Sequence, residues 1–118
     1  MKRVAILGST GSIGRQTLDV IAHHPDRFAV EALAAGENVA LLAEQIGRFR
    51  PKLVSVASQE AAEALRRQFP GVRVVSGEEG LIEAAAATDA DFVVSAVVGS
   101  KGLRPTLAAI DAGKTIGL

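Results

Sequence analysis

The sequence has no cysteine, no tryptophan and no tyrosine. Without thiols there are no disulfides and no thiolate metal sites, and cysteine usage says nothing about redox compartment. The aromatics are four Phe, so core bulk must come from Val, Ile, Leu and Ala. That set suits helices packed closely on a parallel sheet. Neither charge is in excess: 13 Lys and Arg balance 13 Asp and Glu. The balance argues against a nucleic-acid surface or a polybasic membrane patch, while leaving room for a small anion pocket. No apolar run approaches the roughly 20 residues of a membrane span. Met1-Lys2-Arg3 leads straight into a strand pattern. No signal or transit peptide is therefore expected, and the cytoplasm is the default location.

What remains is an ordinary globular composition, 48% hydrophobic over 118 residues, enough for one domain spanning 1–118. Short apolar runs alternate with helical patterns throughout. Strands are expected at Val4–Leu7, Phe28–Ala35, Leu53–Ala57, Val72–Val75, Phe92–Val98 and from Thr115 to Leu118. Helices are expected at Ser12–His23, Val39–Phe49, from an N-cap at Ser58 to Gln68, at Glu78–Ala87 and at Leu103–Ala112. The first helix carries Ile13, Thr17, Val20 and Ile21 at the spacing of one face, and Pro25 stops it. Crossovers of this length force parallel strands. The expected fold is α/β: Rossmann-like, doubly wound, a mainly parallel sheet with helices on both faces. The chain stops at its sixth strand, the pattern of an N-terminal fragment of a longer enzyme, and that strand's edge is expected to be exposed.

Gly8-Ser9-Thr10-Gly11-Ser12-Ile13-Gly14 joins the first strand to the first helix. Gly8 permits a tight turn, Gly11 lets backbone approach a pyrophosphate, and Gly14 lets the helix pack closely on the sheet. Free N–H groups at the helix start then face the phosphates, and Thr10 and Ser12 add hydroxyls. Three glycines alone are a weak signal. Their placement after the first strand of an alternating chain makes an NAD(P) site the better reading.

Domains specific for NAD often carry an acid at the end of the second strand, about 20 residues on, to hold the ribose 2′-OH. Here the strand ends in Leu33-Ala34-Ala35-Gly36, which leaves room for a 2′-phosphate. Glu31 lies further back, either facing solvent or satisfied by a partner. Asn38 either donates to the ribose or caps the next helix. Glu37 opposes a 2′-phosphate by like charge, and no Lys or Arg lies between Gly36 and Gly47. It either turns away or accepts from the 2′-OH of NAD.

Three stretches go beyond a generic dinucleotide domain. They are Ala5 to Gly14 with Thr17-Leu18-Asp19-Val20 and His24-Pro25, then Leu33 to Val39, and above all Ser95 to Leu103 running on through Arg104-Pro105-Thr106-Leu107 to Ile116. In order and spacing the chain resembles the 1-deoxy-D-xylulose 5-phosphate reductoisomerases. That resemblance implies an NADPH-dependent oxidoreductase of non-mevalonate isoprenoid biosynthesis. Such an enzyme rearranges and reduces 1-deoxy-D-xylulose 5-phosphate to 2-C-methyl-D-erythritol 4-phosphate. It further implies a phosphosugar substrate, Mg²⁺ or Mn²⁺, and a homodimer when full-length. Matching motifs put cofactor contacts on Thr10, Gly11, Ser12, Ile13, Gly36 and Asn38. Position 37 is commonly basic in the family, so Glu37 departs from it. The metal ligands and the substrate-phosphate site belong to later segments, and the chain is expected to bind cofactor without turnover.

Other residues read more plainly. His23 and His24 are adjacent at a helix end with no partner spaced for a metal. Gly99 follows the fifth strand at the ligand-binding edge and is read as lining the nicotinamide side, while Lys101 and Lys114 are read as solvated. Asp89 and Asp91 lie at the opposite edge, Asp89 as a turn residue. Two alternatives stand. One is the cofactor domain of another GxxGxxG dehydrogenase, such as an aspartate-semialdehyde dehydrogenase, or of a nucleotide-sugar epimerase. The other is a non-catalytic NAD(P)-sensing module.

Overall fold

The computed structural model describes residues 1–97 and 103–117. Six strands and five helices alternate: β1 (Lys2–Leu7), α1 (Ser12–His23), β2 (Phe28–Ala34), α2 (Val39–Phe49), β3 (Leu53–Val56), α3 (Gln59–Gln68), β4 (Arg73–Ser76), α4 (Gly77–Ala86), β5 (Phe92–Ser95), α5 (Leu103–Asp111) and β6 (Thr115–Gly117). All strand pairs are parallel, in the order β4-β3-β2-β1-β5-β6. From β1 the chain winds one way to β4, then α4 carries it back across β3, β2 and β1 to the far side. The sheet therefore has a topological switch point between β1 and β5.

The two faces of the sheet are built from different residue sizes. One buries Val4, Ile6, Val30, Leu33, Val54 and Val56 against Leu18 and Ile21 of α1, Leu42 and Ile46 of α2, and Leu65 of α3. The other is rich in alanine: Ala5, Ala32, Ala34, Ala84, Ala85 and Ala109 are all fully buried. Small side chains let α4 and α5 sit close to the strands. The abundant alanine of the sequence thus has a structural place.

Glu31 is the one acid in the interior of a strand. The pairing of β1 with β2 runs Val4↔Val30 and then Ala5↔Ala32, so Glu31 is an extra residue, a β-bulge. The bulge takes its side chain out of the apolar alternation. Although only 5% exposed, its carboxylate lies 3.9 Å from both Arg3 Nη1 and Lys52 Nζ. It is flanked by these two cations and does not face solvent.

The first helix corrects one expectation. Its buried residues are Gly14, Leu18 and Ile21, while Ile13 and Val20 stand 55% and 57% exposed. Both sets have helical spacing, and the close seat of Gly14 decides which one faces the sheet. Lys114 also differs from its expected solvation: its Nζ donates to the Thr88 carbonyl at 2.7 Å. Asp91 accepts from the Arg3 amide at 2.9 Å, and Asp89 lies 3.7 Å from the Arg3 guanidinium. Both aspartates thus tie down the amino edge.

Candidate cofactor site at the switch point

β1 ends at Leu7, and the next residue turns the chain with a positive φ of 88°. A Cβ on Gly8 would also lie 3.0 Å from the carbonyl oxygen of Ala96, which follows β5. Both facts require glycine there. The loop is pinned from below, because the Gly8 and Ser9 amides donate to the Ala34 carbonyl at 2.8 and 2.9 Å. Gly14 seats the first turn of α1 against it. A Cβ there would meet Gly8 O at 2.2 Å and Ser9 Cα at 2.6 Å. Gly11 is the N-cap of α1, with extended backbone and no side chain to accept from the first amides. Those N–H groups, at the positive end of the helix, are left for an anion.

Beside this loop, at the carboxyl ends of the strands, is a cleft of about 470 Å³. It is lined by Gly8, Ala34, Ala35, Gly36, Val56, Ala57, Gly77, Glu78, Leu81, Ala96 and Val97. The walls are mostly small and apolar, suited to a flat ring and a sugar. The crevice outside the strand ends at a switch point is where open α/β sheets bind ligands. A hollow of about 540 Å³ lies at the opposite edge, among Arg3, Glu31, Arg48, Arg50 and Lys52. It is slightly larger, but no glycine loop or uncapped helix start opens into it. We therefore place the site at the switch point.

Gly8 and Gly36, both expected from sequence, line the cleft together. Thr10, Gly11, Ser12 and Ile13 run on from Gly8 into α1, and Glu37 and Asn38 run on from Gly36 into α2. Glu37 is exposed and makes no ion pair among the described residues. Asn38 caps α2, its Oδ1 accepting from the Leu41 amide at 3.2 Å. Its Nδ2 remains a donor, so capping and ligand contact are compatible. Gly99 and Lys101 lie outside the described residues.

The sequence reading missed Val56, Ala57, Gly77, Glu78, Leu81, Ala96 and Val97. Ala57 and Ala96 follow strands, and the strand-end rule was signal enough to include them. The α4 residues reach the cleft only because that helix crosses the sheet, which no local pattern announces. Glu78 is held by Arg104 Nη1 at 2.8 Å. Among the described residues, no group of three or more His, Asp or Glu is placed to hold a metal ion. His23 Nδ1 instead lies 2.7 Å from the Asp19 carbonyl, within its own helix. No helix of the described residues is long and apolar enough to cross a membrane.

Comparison with known proteins agrees with this geometry. The family model for 1-deoxy-D-xylulose 5-phosphate reductoisomerase matches residues 4–118. A reductoisomerase of that name from Anaeromyxobacter sp. (strain K) is 57% identical over all of this chain. The chloroplastic one of Mentha piperita is 50% identical over 99% of it. The chain spans 30% and 26% of the length of these two relatives. Among solved structures, the Zymomonas mobilis reductoisomerase in complex with NADPH superposes with a TM-score of 0.91 and 39% identity. The match covers 99% of this chain and 31% of that one. A DOX-P reductoisomerase in complex with NADPH, fosmidomycin and magnesium gives 0.94 at 38% identity, covering 100% of this chain and 30% of that one. A six-stranded parallel sheet with a glycine-built loop at its switch point, matched nearly end to end by one family, leads to one assignment: this chain belongs to the 1-deoxy-D-xylulose 5-phosphate reductoisomerase family.

Proposed function

We propose that residues 1–118 form one NADPH-binding domain, the cofactor-holding part of an enzyme that converts 1-deoxy-D-xylulose 5-phosphate to 2-C-methyl-D-erythritol 4-phosphate. The observation that carries the proposal is the seat of Gly14 on Gly8 and Ser9. It brings the uncapped start of α1 onto the loop that opens the switch-point cleft. Gly8, Thr10, Gly11, Ser12 and Ile13 hold the pyrophosphate through backbone amides and hydroxyls. Gly36, Glu37 and Asn38 meet the adenosine ribose, and Gly99 borders the nicotinamide. Bound NADPH supplies the hydride, and this chain's residues bind and orient it.

The phosphosugar site and the ligands for Mg²⁺ or Mn²⁺ belong to the rest of the polypeptide. Family membership supports both, as well as a homodimer of the longer protein. A cytoplasmic location is part of the same proposal, and balanced charge argues against a nucleic-acid or polybasic membrane partner.

Calorimetric titration with NADPH and with NADH tests the reading. Saturable binding with NADPH the tighter ligand is expected. Tighter NADH binding would mean that Glu37 holds the ribose 2′-OH, and the assignment of NADPH would fall. No binding of either would mean that residues 1–118 are not an NADPH-binding domain, and the proposal would fall. The chain is expected to show no turnover of 1-deoxy-D-xylulose 5-phosphate with NADPH and Mg²⁺.

A further inference from the structure

We infer that Gln45 of α2 is a positioning residue for cofactor binding: by holding the Ser9 carbonyl it aims the Thr10 amide at the pyrophosphate. The inference rests on the proposed cofactor site. Gln45 is 6% exposed and Ser9 fully buried. Gln45 Nε2 donates to Ser9 O at 2.9 Å, linking α2 to a loop 36 residues earlier.

The geometry follows from the peptide unit. In a planar trans peptide the carbonyl of one residue and the N–H of the next point in opposite directions. No cis bond occurs among the described residues. Ser9 is held at both ends, its amide donating to Ala34 O at 2.9 Å and its carbonyl accepting from Gln45. With that carbonyl drawn toward α2, the Thr10 N–H faces away from α2, and it donates to no protein group among the described residues. It stands just before the uncapped amides of α1 and joins them as a donor. A glutamine is suited to this role because its amide reaches across from a neighbouring helix without bringing charge next to a phosphate site. Gln45 Oε1 and Ser9 Oγ, both buried, have no partner in the protein. The side chain is thus kept for one bond, with its other polar end unsatisfied.

The test is an amide NMR titration of the ¹⁵N-labelled chain with NADPH, with inorganic pyrophosphate, and with adenosine 2′-phosphate, which lacks the pyrophosphate. In the parent chain the Thr10 amide should shift with the first two, and the Gln45 side-chain amide protons should exchange slowly before any ligand is added. Gln45→Leu keeps the volume and removes the donor. It should weaken NADPH and pyrophosphate by about tenfold, with adenosine 2′-phosphate changed less than twofold. Equal weakening of all three ligands, in step with a lower Tm, would mean a purely structural role and overturn the inference. So would unchanged pyrophosphate binding, or Gln45 protons exchanging as fast as those of exposed Gln16, which need no folded variant to observe. If the parent chain binds NADPH and only the Gln45 effects are missing, the cofactor site stands without this residue. If the parent chain binds none of the three, both proposals fall.

Discussion

A Cβ placed on Gly14 would stand 2.2 Å from the carbonyl oxygen of Gly8. The atom in the way is backbone and cannot rotate aside. Gly14→Ala must therefore push α1 off the sheet, at a cost of about 3 kcal/mol. Urea unfolding measures it, and an unchanged midpoint would show that the helix can slide outward freely.

Gly11 makes the contrasting case. Its φ is −79°, open to any residue, and a Cβ would meet its nearest neighbour at 3.6 Å. Gly11→Ala should change stability by less than about 0.5 kcal/mol. It places a methyl group where the pyrophosphate is proposed to lie, so NADPH affinity should fall about tenfold or more. Retained affinity would place the phosphates elsewhere.

Glu37 is an exposed acid with no ion pair among the described residues. Glu37→Lys exchanges repulsion of a 2′-phosphate for attraction. NADPH binding should tighten by about tenfold at low salt, and less at high salt as the charges are screened. NADH binding should weaken or stay level. Equal gains for both cofactors in calorimetry would show that residue 37 does not face the ribose.

Two helix caps separate folding from binding. Asn38 and Ser58 each accept from an amide three residues on, at 3.2 Å in both cases. Asn38→Ala and Ser58→Ala should each cost about 1 kcal/mol in unfolding experiments. Asn38 is proposed to meet the adenosine ribose and Ser58 is not, so only the first should also weaken NADPH. Loss of affinity in both would trace the effect to stability.

Arg73 on β4 and Glu83 on α4 form a forked pair, at 2.6 Å and 3.1 Å. Their hydrogen bond holds the Glu83 carboxyl below the ordinary carboxylate range and raises Arg73. A carboxyl lowered on folding stabilises above its unfolded pKa, and that contribution is lost as pH falls through the lowered folded value. The matching loss for Arg73 lies at strongly alkaline pH. Glu83→Gln should therefore flatten the acid side of the Tm–pH curve, where an unchanged slope would mean the pair contributes nothing.

The order of elements could be read from the sequence because the signals are local. Pro25, Pro51 and Pro70 follow helices or precede turns, Ser58 and Asn38 cap, and short apolar runs have the length of strands. The glycine loop was legible because each glycine answers a backbone demand. What could not be read is non-local. Which stripe of α1 turns inward depends on Gly14 meeting Gly8, and the bulge at Glu31 shows only when β2 is laid against β1. The crossing of α4, which brings Gly77, Glu78 and Leu81 to the cleft, follows from a strand order that no pattern encodes. Gln45 looks like any polar helix residue until Ser9 is beneath it.

The switch point also sets the order in which the molecule can be assembled. Arg3 and Asp91 are bonded across the β1–β5 boundary although they lie 88 positions apart, whereas β1, β2 and β3 each pair with the strand next along the chain. Contacts so distant along a chain are slow to close. Closing the seam under the cleft therefore spans more intervening chain than any of the β1–β2, β2–β3 and β3–β4 joints. A ligand spanning it clasps the two halves together, so cofactor should slow unfolding by acting at the point where the polypeptide itself provides no short connection.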